Sequence, residues 1–132
     1  MTKLSVEQAA EITRPCLLET MDRYSAIDAM LVVSVDGHMI ANHMREEKPM
    51  RRLASMGSSL MSLGDTVTEE LNMGACKNVV IENDLGHVVF RHVNKILVLV
   101  AVTQSPGGLG ILLSASKSCA ENVAKNFSAL IS

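Results

Sequence analysis

Between Lys48 and Leu71 the chain reads KPMRRLASMGSSLMSLGDTVTEEL, and its apolar and small positions recur at helical spacing. Leu53, Gly57, Leu60, Gly64, Val67 and Leu71 form one stripe. Met56 and Leu63 widen it on one side, Ala54 and Met61 on the other. The arc spans roughly 180°, whereas one buried face needs only ~100°. Pro49 suits the first helical position, where its missing N–H is not needed. The opposite face is small and uncharged through Ser55, Ser58, Ser59 and Ser62. The charges Arg51, Arg52, Asp65, Glu69 and Glu70 gather mainly at the ends. Two readings fit such a helix. It is either a broad core helix with a serine-rich solvent face, or a helix that touches both its own sheet and a second chain.

The remaining periodicities supply the other elements. Ser5 to about Tyr24 reads as a first helix, opened by the possible capping box Ser5-x-x-Gln8 and carrying Ala9, Ile12, Cys16, Leu17 and Met21 on its apolar side. Pro15 removes one backbone hydrogen bond in its middle, which predicts a kink or two short helices. Asp28–Val35 and a run from His38 (HMIANHM) read as strands joined at Asp36-Gly37, a pair expected to take positive φ at both turn positions. Asn72 and Gly74 are the natural stops of the central helix. Lys77–Glu82, His87–Val93 and Ile96–Thr103 follow as a three-stranded antiparallel meander. Ile96–Thr103 shows no alternation, so it is covered on both faces, and MLVV in the first strand is nearly the same. Lys77–Glu82 is mixed, as befits an edge. A third helix is expected from Leu109 to about Leu130, with Ile111, Leu112, Ala115, Cys119, Val123, Phe127 and Leu130 at helical spacing, although its first turn is equally compatible with extended chain. The order αββαβββα predicts an α/β (α+β) fold of three layers: one helix, a five-stranded antiparallel sheet, then two helices.

Composition narrows the class. The 132 residues fit one domain spanning 1–132. No Trp, one Tyr, two Phe and nine Met make the core aliphatic and methionine-rich. A net charge of −2 without like-charge blocks, together with few aromatics, argues against nucleic acid. The start MTKLSVEQAAE lacks the apolar core of a secretory signal. The longest apolar run, Ile96–Val102, is far short of the ~20 residues that span a bilayer. A cytoplasmic protein with no membrane insertion is expected. Cys16, Cys76 and Cys119 match neither a disulfide framework nor a metal knuckle, and read as reduced small hydrophobes.

Tempting chemistry finds little support. Gly108-Leu109-Gly110 follows a strand and opens a helix, but Leu113 stands where a dinucleotide turn needs a third glycine. Close backbone packing at a helix start is the plainer reading. His38, His43, His87 and His92 lack metal-ligand spacing, and His87 and His92 face opposite ways on one strand. No catalytic residue, cofactor or metal is assigned. Glu69-Glu70 at a helix C-terminus oppose its dipole, a small sign of an outside partner.

The whole pattern resembles the Roadblock family, the dynein-light-chain-like domain also found in bacterial and archaeal regulators of small GTPases. The resemblance rests on Ala29–Ala41 (AMLVVSVDGHMIA), on Leu53-Ala54 and Leu63-Gly64 of the central helix, on the three closely spaced strands and on Leu109-Gly110. It implies a homodimer, or a heterodimer with a paralogous Roadblock protein. The central helix, Pro49–Leu71, would pack on its mate and Lys77–Glu82 would pair edge to edge, placing Met56, Ser59, Leu60, Leu63, Val67, Val79 and Ile81 at the interface. It implies a non-enzymatic regulator or scaffold for a Ras-like small GTPase, toward which Arg45, Arg51, Arg52 and Arg91 are available as arginines acting in trans; the sequence selects none. A small-molecule sensor and a structural adaptor of a motor or signalling complex are the alternatives.

Overall fold

The structure of the chain, a computed structural model, describes residues 5–131, with side chains through residue 129. The first residues MTKL and the burial expected of Leu130 lie outside what it describes. Eight elements follow in order: α1 (Val6–Arg23), β1 (Ala29–Ser34), β2 (Met39–Met44), α2 (Arg51–Glu70), β3 (Asn78–Asn83), β4 (Gly86–His92), β5 (Leu97–Thr103) and α3 (Leu109–Ile131). The five strands form one antiparallel sheet in the order β2-β1-β5-β4-β3.

The layers are those the hydrophobic pattern predicts. Met30, Val32, Val89, Leu99 and Ala101 point to one face, where α1 and α3 cover them with Leu17, Met21, Leu112, Ala115, Val123 and Phe127. Leu31, Val33, Phe90, Val98 and Val100 point to the other, under Ala54 and Met61 of α2. β5 lies at the centre of the sheet and is buried on both sides, as an uninterrupted apolar strand must be. β2 and β3 are the edges.

Local chemistry explains most element ends. The capping box is complete: the Gln8 N–H donates to Ser5 Oγ at 3.1 Å, and the Ser5 N–H donates to Gln8 Oε1 at 2.9 Å. α2 stops in a Schellman arrangement. Asn72 (φ 51°) donates to Glu69 O and Met73 to Thr68 O, and Gly74 (φ 88°) turns the chain away.

Four expectations need correction. Pro15 does not divide α1, which runs unbroken from Val6 to Arg23. Pro15 and Glu11 both lie on the exposed side, so the lost backbone bond falls toward water. α2 begins at Arg51, with Met50 as its cap residue in a non-helical conformation and with no side-chain cap. Asp36-Gly37 is not a two-residue turn with paired positive φ. Only Gly37 is left-handed (φ 90°). The loop holds three residues, with the Ser34 N–H on His38 O and the Gly37 N–H on Ser34 O, and a bulge follows where Val33 pairs with Met39. Finally, Ile111 is exposed, and the buried stripe of α3 starts at Leu112.

Candidate interaction face

The two flanks of α2 behave differently. Its buried row is Ala54, Gly57 and Met61. A side chain at Gly57 would meet Val100 Cγ2 at 3.3 Å and Phe90 Cδ2 at 3.4 Å. One at Gly64 would meet Val79 Cγ2 and Cys76 Sγ, both at 3.0 Å. Two glycines spaced seven apart thus let the helix lie directly on β4, β5 and β3. On one flank α2 is tied to the protein: Ser58 Oγ donates to Val35 O, and Asp65 meets His92 Nε2 of β4 at 3.0 Å.

The other flank is apolar and faces outward. Met56 is 48% exposed, Leu63 61% and Val67 48%. Ser59 is exposed between them, and Leu60 is half-buried against the sheet. Val79 and Ile81 of β3 point to the same side of the sheet as α2, because they pair with Phe90 and Val88 of the α2-facing layer. Val79 is half-buried beneath Gly64, and Ile81 is 37% exposed. All seven residues therefore belong to α2 or to the side of the edge strand beneath it.

The arginines separate into tied and free. Arg45 closes the C-terminal end of α1: its Nε donates to Ile27 O at 2.8 Å and its Nη2 to Tyr24 O at 3.0 Å and to Met21 O. Arg91 reaches Ser116 Oγ and Leu113 O of α3, and burial lowers its pKa. Arg51 and Arg52, at the start of α2, are exposed. Neither Arg45 nor the Asp65–His92 pair carries a sequence signal as a contact, because each joins residues far apart in the chain.

His87, Cys16 and Cys119 are buried in the fold and Cys76 is half-buried. His87 donates from Nε2 to Pro106 O at 2.8 Å, on the face opposite His92. Burial raises the pKa of all three thiols, that of Cys119 to about 11. Among the described residues no group of His, Cys, Asp and Glu is arranged to hold a metal, and no helix is long and apolar enough to cross a membrane. At Gly108 a side chain would lie 2.9 Å from Thr103 Oγ1, so the glycine before α3 serves close packing. A groove of about 720 Å³ opens between the start of β3 and α3, lined by Lys77, Arg91, Leu113, Lys117 and Glu121 among others.

No curated protein matches the chain by sequence. Its fold is shared by solved structures at low identity. The gliding protein MglB from Thermus thermophilus superposes with a TM-score of 0.79 at 17% identity, over 89% of this chain and 90% of that one. Myxococcus xanthus MglB gives 0.77 at 14% identity, over 100% and 96%. A Roadblock/LC7 domain from Streptomyces avermitilis gives 0.76 at 17% identity, over 86% and 95%. Residues 16–103 match the Roadblock/LC7 domain itself, a span running from the middle of α1 to the end of β5. The chain belongs to the Roadblock/LC7 family.

Proposed function

We propose that this chain is a single, non-enzymatic Roadblock domain over residues 1–132. It works in the cytoplasm as a dimer, binding a Ras-like small GTPase and modulating its nucleotide state or location. The observation that carries the dimer is the outward apolar flank of α2, where Met56 and Leu63 stand about half exposed above the edge strand β3, paired on one side only. Side chains of this kind gain by leaving water, roughly 25 cal/mol per Å² of apolar surface. An open sheet edge is protected when another strand pairs with it. Self-association among structural relatives supports the reading, since one MglB structure is described by its tetrameric arrangement. The GTPase follows from the family resemblance, and the exposed Arg51 and Arg52 at the head of α2 are available to meet an acidic or phosphorylated partner.

A second reading has one observation of its own. The groove beside α3 falls within the size range of small-molecule sites and holds two lysines and an arginine. It supports a sensor of a small organic anion on the face opposite α2.

A pull-down on immobilised protein, with GDP and with a non-hydrolysable GTP analogue, tests the first reading. Enrichment of a small GTPase in one nucleotide state supports it. Retention of other proteins only, in both states, favours a structural adaptor. An empty eluate with a thermal shift caused by small organic anions favours the sensor.

A further inference from the structure

We infer that the groove between β3 and α3 binds a small phosphomonoester with an aliphatic body, its phosphate held by Arg91, Lys77 and Lys117. The inference rests on the sensor reading above and names the ligand that reading would take. The three cations come from three parts of the chain: Lys77 just precedes β3, Arg91 lies on β4 and Lys117 on α3. All line one groove of about 720 Å³, within the ~300–1,000 Å³ of small-molecule sites. Three cations against the one carboxylate of Glu121 give the groove a net charge of +2, with His92 counted neutral. The whole chain carries −2. A cleft of sign opposite to the rest of the molecule concentrates ligands of the other sign. Two surplus positive charges match a phosphomonoester, which carries about −1.5 to −2 at neutral pH, better than a single carboxylate.

Arg91 is the second observation. It is half-buried, and burial lowers its pKa, so its charge is held at a cost. Buried charges are ordinarily paired. Among the described residues Arg91 forms no ion pair, and Glu121 acts on it only from beyond ion-pair distance. The fold gives it two long hydrogen bonds, from Nε to Ser116 Oγ at 3.4 Å and from Nη2 to Leu113 O at 3.4 Å, where a good N–H···O bond is about 2.9 Å. An oxyanion received by this planar fork supplies both the missing counter-charge and short, charge-assisted bonds. Lys77 and Lys117 are exposed and also form no ion pair among the described residues. Beside the charges the wall is apolar, through Val93 just after β4 and Leu113, Ala120 and Ala124 of α3. The two alanines leave space between the helix and the edge of the sheet. No aromatic side chain lines the groove, so it offers a base nothing to stack on.

Chemical-shift mapping on the isotope-labelled chain, with n-hexyl phosphate, hexanoate and inorganic phosphate as probes, tests the site. Hexyl phosphate is expected to shift the amides of Arg91, Leu113, Lys117 and Ala124 saturably, and to bind about tenfold tighter than either of the other two. Arg91→Gln should weaken it at least ~tenfold and Lys117→Gln about two- to fivefold. Lys117 is exposed, so its variant keeps the fold and tests the site even where Arg91→Gln does not. Hexanoate or inorganic phosphate binding as tightly as hexyl phosphate overturns the phosphomonoester and leaves the anion sensor standing. Hexyl phosphate that shifts amides elsewhere, or binds the folded variants as it binds wild type, overturns the placement. No saturable shift with any of the three probes overturns the inference and the sensor reading with it.

Discussion

Gly64 of α2 rests on Val79 of β3 so closely that a side-chain carbon on the glycine would lie 3.0 Å from Val79 Cγ2. This contact sets the height of the helix over the edge strand, and so how far Leu63 and Val67 stand out beside it. Alanine here gains helix propensity while crowding Val79 and Cys76, and the two effects oppose each other. Valine has no such offset. Gly64→Val is expected to cost about 1–3 kcal/mol through overpacking, measured by urea denaturation, with β3 amides losing hydrogen-exchange protection first.

Arg45 should prove a structural residue. Its guanidinium donates to the carbonyls of Met21 and Ile27 at the end of α1 and the following turn, and shares Tyr24 O with the Ile27 N–H. Arg45→Ala is expected to lower stability by about 2 kcal/mol, in the range of hydrogen bonds to charged groups. Arg45→Lys should recover only part of it, because an ammonium cannot reproduce the planar fork. Any GTPase binding found for wild type, as proposed, should be unchanged in the folded variant.

Cys119 predicts an alkaline weakness. Burial raises its thiol from an ordinary 9.0 to about 11, against a lowering from the Thr20 hydrogen bond. The folded state therefore holds the proton that the unfolded state releases first. The contribution is complete below pH 9.0 and is lost as pH rises toward 11. Two units correspond to about 2–3 kcal/mol. Cys119→Ala should flatten the fall in denaturation midpoint between these pH values, and native Cys119 should resist alkylation at pH 8.

Much of this architecture is legible because periodicity reports burial. The unbroken apolar run of β5 announces a strand covered on both faces, and Asn72 and Gly74 announce the end of α2, since each carries the positive φ the stop requires. Pro15 misleads because the helix-breaking rule ignores which side the proline falls on: Pro15 and Glu11 lie opposite the apolar row, where the lost backbone bond falls toward water. Asp36-Gly37 misleads in detail because one such pair serves both two- and three-residue hairpin loops. The width of the α2 arc matches a helix that buries one apolar row on its own sheet and leaves Met56, Leu63 and Val67 apolar and outward. Which flank is spent internally depends on Gly57 and Gly64 meeting the sheet, a fact of packing. Arg45, Asp65 and His92 carry no local pattern at all, because their partners come from distant elements.

The central claim is that the outward flank of α2 joins two chains, and light scattering on wild type and Leu63→Glu tests it most directly. Leu63 is 61% exposed and outside the core, so the variant should keep its circular dichroism as a monomer and melt cooperatively, at a temperature lowered only by the loss of association. The account predicts a dimer mass for wild type and a monomer mass for Leu63→Glu; Leu60→Glu should also lower the mass, but being half-buried against the sheet it should cost fold stability as well. An unchanged dimer mass for a folded Leu63→Glu would contradict it.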